Sequence, residues 1–553
     1  MKRVTILKKF NMRENFVLSS LAATIILTGC AGQVKKLDST APIAYSTGAT
    51  LSTKKELFNE ERLDYKGREI NILREDRSQQ IFRDYGVNPT INTNAETVST
   101  FAMDVDTVSY QIARENLNSN RLPNTASIRV EEFVNHFDYN YQISNDDFSI
   151  SAEIVPSPYR PGFHVLHIGV KAKNIPEKER LPANLVLVAD VSGSMSTQNK
   201  MELQKKAFIT LVSQLKSDDK VAIIAYENDA IEILKPTSAK HKSKIYRAIK
   251  RLNSGGGTNA ASGIRKGYAL AEQMAYPGYI NRVILTSDGL ANIGQVEPKQ
   301  ILQEIGNYRK NNIFLTTVGV GQGMFNDYLL EQLANQGNGQ YLYFSNDDDI
   351  QSAFVDGLTT QLQTVAKDAK VQISFDPEVV SHYRQLGYEN RALKSEDFLN
   401  ADKDGGELGA NHQVTVLYEV KLKLKRNDIK KDVGKLSISY KKPQGSAVFF
   451  IEKSIPASIV RERTVSQSPD TTVALASAAF AEKLRQSYWS RLYTYEDIIF
   501  ELKALPRSKR NQEKVSEFMQ LISQATRLDQ RNDRYELRYP LEKISYEQVP
   551  LLK

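Results

Sequence analysis

The chain has 553 residues, too many for one ordinary domain, so three or four folded units are expected. Hydrophobic residues make up 41% and charged residues 25%, a globular composition that excludes wholesale disorder. The 73 Lys and Arg exceed the 65 Asp and Glu by 8, but residues 1–29 hold five of those bases and only one acid, which leaves 68 against 64 over the remainder; that near balance gives no support to a nucleic-acid partner. A single cysteine excludes an intramolecular disulfide and a thiolate metal cluster.

Residues 1–29 read as an export signal. Lys2, Arg3, Lys8, Lys9 and Arg13 precede an apolar run from Phe16 to Leu27, too short to span a bilayer and suited to a signal-peptide core. The run ends Leu27-Thr28-Gly29-Cys30, which resembles the lipobox of bacterial lipoproteins. There the peptide is cut before the cysteine, whose thiol takes a diacylglycerol. Cys30 is therefore the expected lipidation site and membrane anchor. Ala31 follows it, and by resemblance to Gram-negative sorting signals that implies the outer membrane. The rest of the chain is expected to be soluble and extracytoplasmic.

Residues 30–95 are polar and charged without sustained periodicity and read as a tether, with a short helix near Ser78–Asp84. Residues 96–180 read as an α+β segment. Thr100–Val105 is strand-like, and Val108–Leu117 is helical with Asp106 and Thr107 as cap candidates. Val130–Phe137 is a second helix. Residues 147–172 alternate as a hairpin.

Residues 181–366 change character. Apolar strands Leu185–Ala189, Val221–Tyr226, Arg282–Thr286, Ile313–Val318 and Tyr341–Tyr343 alternate with amphipathic helices, one carrying Leu203, Ala207, Leu211 and Leu215 on a face. This predicts an α/β fold with a doubly wound, mostly parallel sheet. Ile231–Leu234 follows too closely for a helix to intervene and should be an antiparallel edge strand. Residues 367–460 return to strands, Val371–Phe375, Val414–Leu424 and Leu436–Tyr440. Lys421, Lys423 and Lys425 alternate with leucines as lysines do on a guarded edge. Matching β character on both flanks suggests that the α/β domain is inserted into a β-sandwich. Residues 461–553 form a C-terminal helical region, with periodicity over Thr472–Gln486 and Glu513–Leu528. Arg527–Lys553 carries no pattern that places it.

The chemistry lies at the end of the strand Leu185–Ala189, in Asp190-Val191-Ser192-Gly193-Ser194-Met195. Ligands of open α/β sheets bind outside the carboxyl ends of the strands. Three short oxygen-bearing side chains at alternate positions of a tight loop can converge on one hard cation. Thr258, after Gly255-Gly256-Gly257, and Asp288, after the strand Arg282–Thr286, stand at the ends of two further units. Two carboxylates and three hydroxyls without His or Cys suit Mg²⁺ or Mn²⁺.

This pattern resembles the metal-ion-dependent adhesion site of von Willebrand factor type A domains, with Asp190, Ser192, Ser194, Thr258 and Asp288 all in order. The resemblance implies that Ser192, Ser194 and Thr258 bind metal directly, that Asp190 and Asp288 act through bound waters, and that one coordination position is left for a partner's carboxylate. Met195, Asn259, Leu290 and Asn292 are the expected rim. The wider chain resembles the YfbK-type bacterial lipoproteins, through Ser99–Thr107, Arg129–Asn135 and Gly387–Arg391.

Competing motifs are weaker. Asp104-Val105-Asp106-Thr107 looks like the nucleophile motif of aspartate-based phosphatases, but no downstream Lys and acidic pair completes it, and helix capping is the better account. Asn400–Gly405 mimics the start of an EF-hand loop, but position twelve is Asn411 and a strand follows. Gly255–Gly257 lacks the Gly-Lys-Ser/Thr of a phosphate loop. His136 and His167 read as packed or surface residues, Asp347–Asp349 as a helix cap, and Trp489 as core or domain interface. The leading expectation is a lipid-anchored binding protein, not an enzyme, that recruits an exposed Asp or Glu of a protein partner through the metal. The alternatives are an envelope protein whose metal only stiffens loops, and a metal-assisted hydrolase, for which no motif places a general base.

Overall fold

The computed structural model describes residues 82–531, apart from 289–300, 302–303, 306–307, 309–311, 322–325, 402, 424–429 and 462–467. In chain order, short β1 (Ile91–Asn92) and β2 (Val98–Ala102) precede helices α1 (Val108–Asn118) and α2 (Val130–Asn135). The hairpin β3 (Phe148–Pro156) and β4 (His164–Ala172) leads to β5 (Ala183–Asp190), α3 (Lys200–Gln214), β6 (Lys220–Tyr226) and β7 (Ala230–Ser238). Then come α4 (Lys242–Lys250), α5 (Ala260–Met274), β8 (Ile280–Ser287), β9 (Ile313–Val320), α6 (Asp327–Gln336) and β10 (Tyr341–Phe344). Strands β11 (Thr364–Phe375), β12 (Val380–Leu386), β13 (Ala392–Leu393), β14 (Gly406–Gly409), β15 (Gln413–Leu422), β16 (Asp432–Lys441) and β17 (Val448–Pro456) follow. The described chain closes with α7 (Pro469–Leu484), α8 (Tyr495–Lys503) and α9 (Glu513–Leu528).

Three sheets form. The middle of the chain makes one in the order β10-β9-β8-β5-β6-β7, parallel except for the antiparallel edge strand β7. Strands β5, β8 and β9 are buried along their whole length, because helices cover both faces of a parallel sheet; this is why they read as unbroken apolar runs. The other two sheets are antiparallel, β1-β12-β15-β4-β3 and β13-β2-β11-β16-β17. Their inner faces share one core, with Phe101, Ile154, Leu166, Val371, Tyr418 and Ile438 buried in it. Strand β4 comes before the α/β domain and β15 after it, and they pair from Lys171–Gln413 to His164–Val420. The α/β domain is thus inserted into a β-sandwich.

Several expectations change. Phe82–Asp84 are not helical, and the rest of that predicted helix lies outside the described residues. Residues 82–95, read as tether, are packed: Phe82 is buried against Val108, Ile112, Leu330 and Tyr341, and β1 pairs with β12. Isolated anchors in an extended segment leave no periodicity to read. Strand β15 is central rather than an edge, lying between β12 and β4, so Lys421 guards no edge there; Lys423 follows the strand and Lys425 lies outside the described residues. The C-terminal helices are not a separate layer, since Phe480, Phe518 and Ile522 share a core with Tyr110, Phe133 and Phe137 of the N-terminal helices. Trp489 does lie at an interface: its ring is 4.5 Å from the Arg160 guanidinium and 5.0 Å from that of Arg384, and its Nε1–H donates to Asn88 O.

Of the two cap candidates, Thr107 stands at the N-cap position of α1 without a side-chain cap hydrogen bond, and Asp106, like Asp104, serves elsewhere. Both are buried in a network that joins the N-terminal segment, the loop before β13 and α6. Arg391 Nε donates to Asp104 Oδ2 at 3.1 Å and its Nη1 to Asn335 Oδ1 at 2.8 Å. Arg129 holds Asp327 at 2.7 and 3.3 Å and also pairs with Glu132. Asp106 accepts from Tyr341 N at 3.2 Å. Glu131 and Glu331 complete the set, so acids outnumber the two arginines. Burial, helped by Glu389, Asp104 and Glu132, pushes the Glu131 carboxyl up to about 8. The folded protein therefore holds a proton that the unfolded chain releases near 4.5, and this contribution to stability is lost as pH rises towards 8. Replacing Glu131→Gln keeps the acceptor for Tyr388 N and removes the ionisation. Thermal melts across the pH range should show the variant matching the parent near pH 5 and exceeding it by about 1–3 kcal/mol near pH 9; parallel curves would exclude this account.

Candidate metal centre

The site forms where β5 and β8, neighbours in register from Ala183–Ile280 to Val188–Leu285, reach their carboxyl ends. Asp190 closes β5 and Asp288 follows β8. Asp190, Ser192 and Asp288 are buried, and Ser194 and Thr258 are half-buried. After Asp190 the chain turns, and Ser192 N donates back to Asp190 Oδ1 at 2.9 Å. This turn brings the Ser192 and Ser194 hydroxyls within 3.0 Å of each other. Tyr226 Oη, from β6, and Ser287 Oγ, from β8, each donate to Asp190 Oδ2 at 3.0 Å. Gln204 Nε2 fixes the Asp190 carbonyl at 3.0 Å.

The Gly-rich loop brings Thr258 to this turn. Gly255 N donates to Val191 O at 2.8 Å, and Gly256 O accepts from Gly193 N at 3.2 Å. Gly256 sits at φ +71°, and a Cβ there would lie 2.7 Å from Glu227 Oε2, so the position requires glycine. Thr258 then leads into α5, which Asn259 caps.

The donors fit a hard divalent cation. They are carboxylate and hydroxyl oxygens, and the buried acids want positive charge. Burial pushes the Asp190 carboxyl up; the Ser192 hydrogen bonds oppose this, and the charge of Asp288 adds to it. Metal bound there would relieve that tension.

The rim differs from expectation. Met195 lies in the 3₁₀ turn Gly193–Ser196 and is fully buried in the core beneath the loop. The turn points its side chain inward, so it cannot touch a partner. Asn259 is half-buried and spent on the fold, accepting from Ser262 N and donating to Asn228 O, both at 3.1 Å. Leu290 and Asn292 lie outside the described residues, as does Cys30. Glu227 and Asn228 stand beside the Gly-rich loop instead, with Gly257 N donating to Asn228 Oδ1 at 3.1 Å. The signal for them was available: they follow β6 directly, at the same end of the sheet where Asp190 closes β5.

Sequence reasoning also missed Lys200. Its Nζ donates to Asp288 Oδ2 at 3.0 Å, and the side chain is 4% exposed. Room for its stem comes from Gly321 at φ +81°, where a Cβ would come within 2.5 Å of Lys200 Cγ. A lysine ten residues after the aspartate has no spacing rule that points at the site. Elsewhere among the described residues, Asp368, Asp404 and Glu407 gather within metal-ligand distance. Lys441 Nζ already sits 2.8 Å from Asp368 there, and strand β14, not a helix, follows Asp404.

The arrangement has relatives. Residues 184–356 match the von Willebrand factor type A domain, residues 76–167 a family described as von Willebrand factor, and residues 360–528 the family described as uncharacterized protein YfbK, C-terminal. Uncharacterized protein YfbK of Escherichia coli (strain K12) is 32% identical over 442 residues, 75% of this chain and 76% of that protein. Inter-alpha-trypsin inhibitor heavy chain H2 of Mus musculus is 26% identical over 225 residues, 38% of this chain and 23% of that one. A solved von Willebrand factor type A from Catenulispora acidiphila is 15% identical and covers 70% of this chain and 91% of its own, with a TM-score of 0.42. With its identity to the Escherichia coli protein sustained over three quarters of both sequences, this chain belongs to the YfbK family and carries a von Willebrand factor type A domain.

Proposed function

We propose that this protein is an extracytoplasmic lipoprotein, anchored through Cys30, whose type A domain holds Mg²⁺ or Mn²⁺ and through it binds an exposed Asp or Glu of a protein partner. It acts by binding rather than by catalysis. The observation that carries this reading is the convergence of Asp190, Ser192 and Ser194 on one turn, laced by backbone hydrogen bonds to the loop bearing Thr258.

Charge favours an acidic ligand. Asp190 and Asp288 with Lys200 sum to one negative charge, and a divalent ion turns this to one positive. One carboxylate from a partner then brings the site to neutrality. Buried charges are retained when paired, so a filled site without a ligand attracts an anion. A site in which the metal only stiffens loops does not need this surplus.

Calorimetric titration of Mg²⁺, Mn²⁺ and Ca²⁺ into the chain from Ala31 onward should show Mg²⁺ or Mn²⁺ binding at one site. Binding should be lost in Asp190→Ala and in the double variant Ser192→Ala/Ser194→Ala. Titration unchanged by these substitutions would end the reading.

Lys200→Met separates the two roles of charge. Without the ammonium the empty site is more negative, so Mg²⁺ should bind about three- to tenfold more tightly. The filled site is then neutral, and an acidic peptide should bind the Mg²⁺-loaded variant more weakly than the parent. Weaker metal binding in Lys200→Met would show that the lysine serves mainly to position Asp288.

A further inference from the structure

A second surface of the type A domain is built for anions and lies away from the metal. From Lys235 to Arg251 the chain carries seven Lys and Arg, with His241, and no Asp or Glu. The segment covers the end of β7, a turn and α4. Strand β7 runs antiparallel to β6, and Ser238 lies opposite Lys220 at the amino end of β6, whereas Asp190 lies beside Tyr226 at the carboxyl end. The basic turn is therefore at the pole opposite the metal centre, and α4 climbs the flank from it.

The fold does not require these charges. Helix α4 buries only Ile245, Ala248 and Ile249, while Lys240, Lys244, Arg247, Lys250 and Arg251 are exposed. Lys244, Arg247 and Lys250 lie on α4, Lys240 in the turn before it and Arg251 directly after it. The two cations with side-chain hydrogen bonds use backbone carbonyls, Lys242 donating to Ser213 O and Arg247 to Ser243 O. Asp218 and Glu232 lie at the margins. Between Leu215, Ser217 and the basic turn is an open groove of about 550 Å³.

We propose that this flank docks the type A domain on the headgroup phosphates of an anionic membrane leaflet. The cations do not converge on a point, as for one phosphate. They run along a helix about 13 Å long and onto the adjoining strand, the spread that suits a field of headgroups. The proposal draws on the lipoprotein reading for the presence of a membrane. An acyl chain alone gives marginal membrane binding, and a polybasic face supplies the second contact. Docked by this flank and pole, the domain turns its metal end away from the lipid, towards a partner.

The test is co-sedimentation of the chain from Ala31 onward, which has no acyl anchor and retains every described residue. The vesicles are phosphatidylcholine, alone or with about 30% phosphatidylglycerol. Binding should occur with the anionic vesicles only and fall about tenfold or more from low salt to 0.3 M. Lys240→Glu/Lys244→Glu/Arg247→Glu should abolish it, with the thermal melt and Mg²⁺ titration unchanged. The milder Lys240→Gln/Lys244→Gln/Arg247→Gln should give an intermediate loss. No binding to anionic vesicles, equal binding to neutral ones, a charge-reversed variant that binds like the parent, or capture by heparin without capture by vesicles would each overturn the proposal. The Mg²⁺ titration judges the metal reading separately.

Discussion

The candidate metal face is left accessible because the inserted domain is held at its opposite end. The chain enters at Leu181 and leaves at Gln363, and Leu181 N donates to Gln363 Oε1 at 2.9 Å. Arg180 grips Asp219 through both guanidinium nitrogens at 2.6 and 3.2 Å, and Asp219 also accepts from Ala183 N and Lys216 N. Arg282 reaches Thr316, Leu362 O and Thr364. The Arg180 and Asp219 charges are paired and hydrogen-bonded, which is what makes them tolerable, whereas Arg282 bonds to neutral oxygens and burial lowers its pKa to about 10. Breaking such a pair from one side typically costs about 3–5 kcal/mol. Both ends of the insertion are thus fixed to the amino edge of its own sheet, and the carboxyl edge is left to the loops that hold Asp190, Thr258 and Asp288.

A second attachment restricts rotation about that point. Helix α6 presents Asp327 and Glu331 to Arg129 and Arg391, which belong to the sandwich side of the chain. Leu330 and Ala334 of the same helix pack with Phe82, Val108 and Tyr341. Two separated contacts fix an orientation where one would permit a hinge. The surplus of acids over arginines makes this junction sensitive to protonation, as burial and neighbouring carboxylates raise Glu131, Glu132 and Asp106.

The α/β domain was legible in the sequence because its signals are local. Fully buried strands read as apolar runs, and Ile231–Leu234 followed Tyr226 too closely to be anything but an antiparallel edge. The turn that gathers Asp190, Ser192 and Ser194 was legible because residues at alternate positions of one turn are placed by the turn itself. Long-range partners were hidden. No spacing predicts that Arg391 meets Asp104, or that Phe480 packs with Tyr110's cluster. Asp106 looked like a cap because residue type and position favour capping, and only the fold shows Arg391 beside it and Asp104. Met195 was misjudged for a related reason: position in the loop was readable, but the inward direction of the 3₁₀ turn was not.

Lys200 shows why a ligand motif understates a site. The oxygen donors alone describe what can hold a divalent ion, and two carboxylates would neutralise it. Placing a buried ammonium 3.0 Å from Asp288 changes the sum, because the filled centre then carries a positive charge in a partly dry setting where Coulomb attraction is stronger than in water. A neutral centre would discriminate poorly between a carboxylate and water. A positive one favours the carboxylate, and more strongly as the approaching surface excludes solvent. Under the proposed function, selectivity for an acidic partner would thus rest as much on a lysine outside the motif as on the oxygens within it.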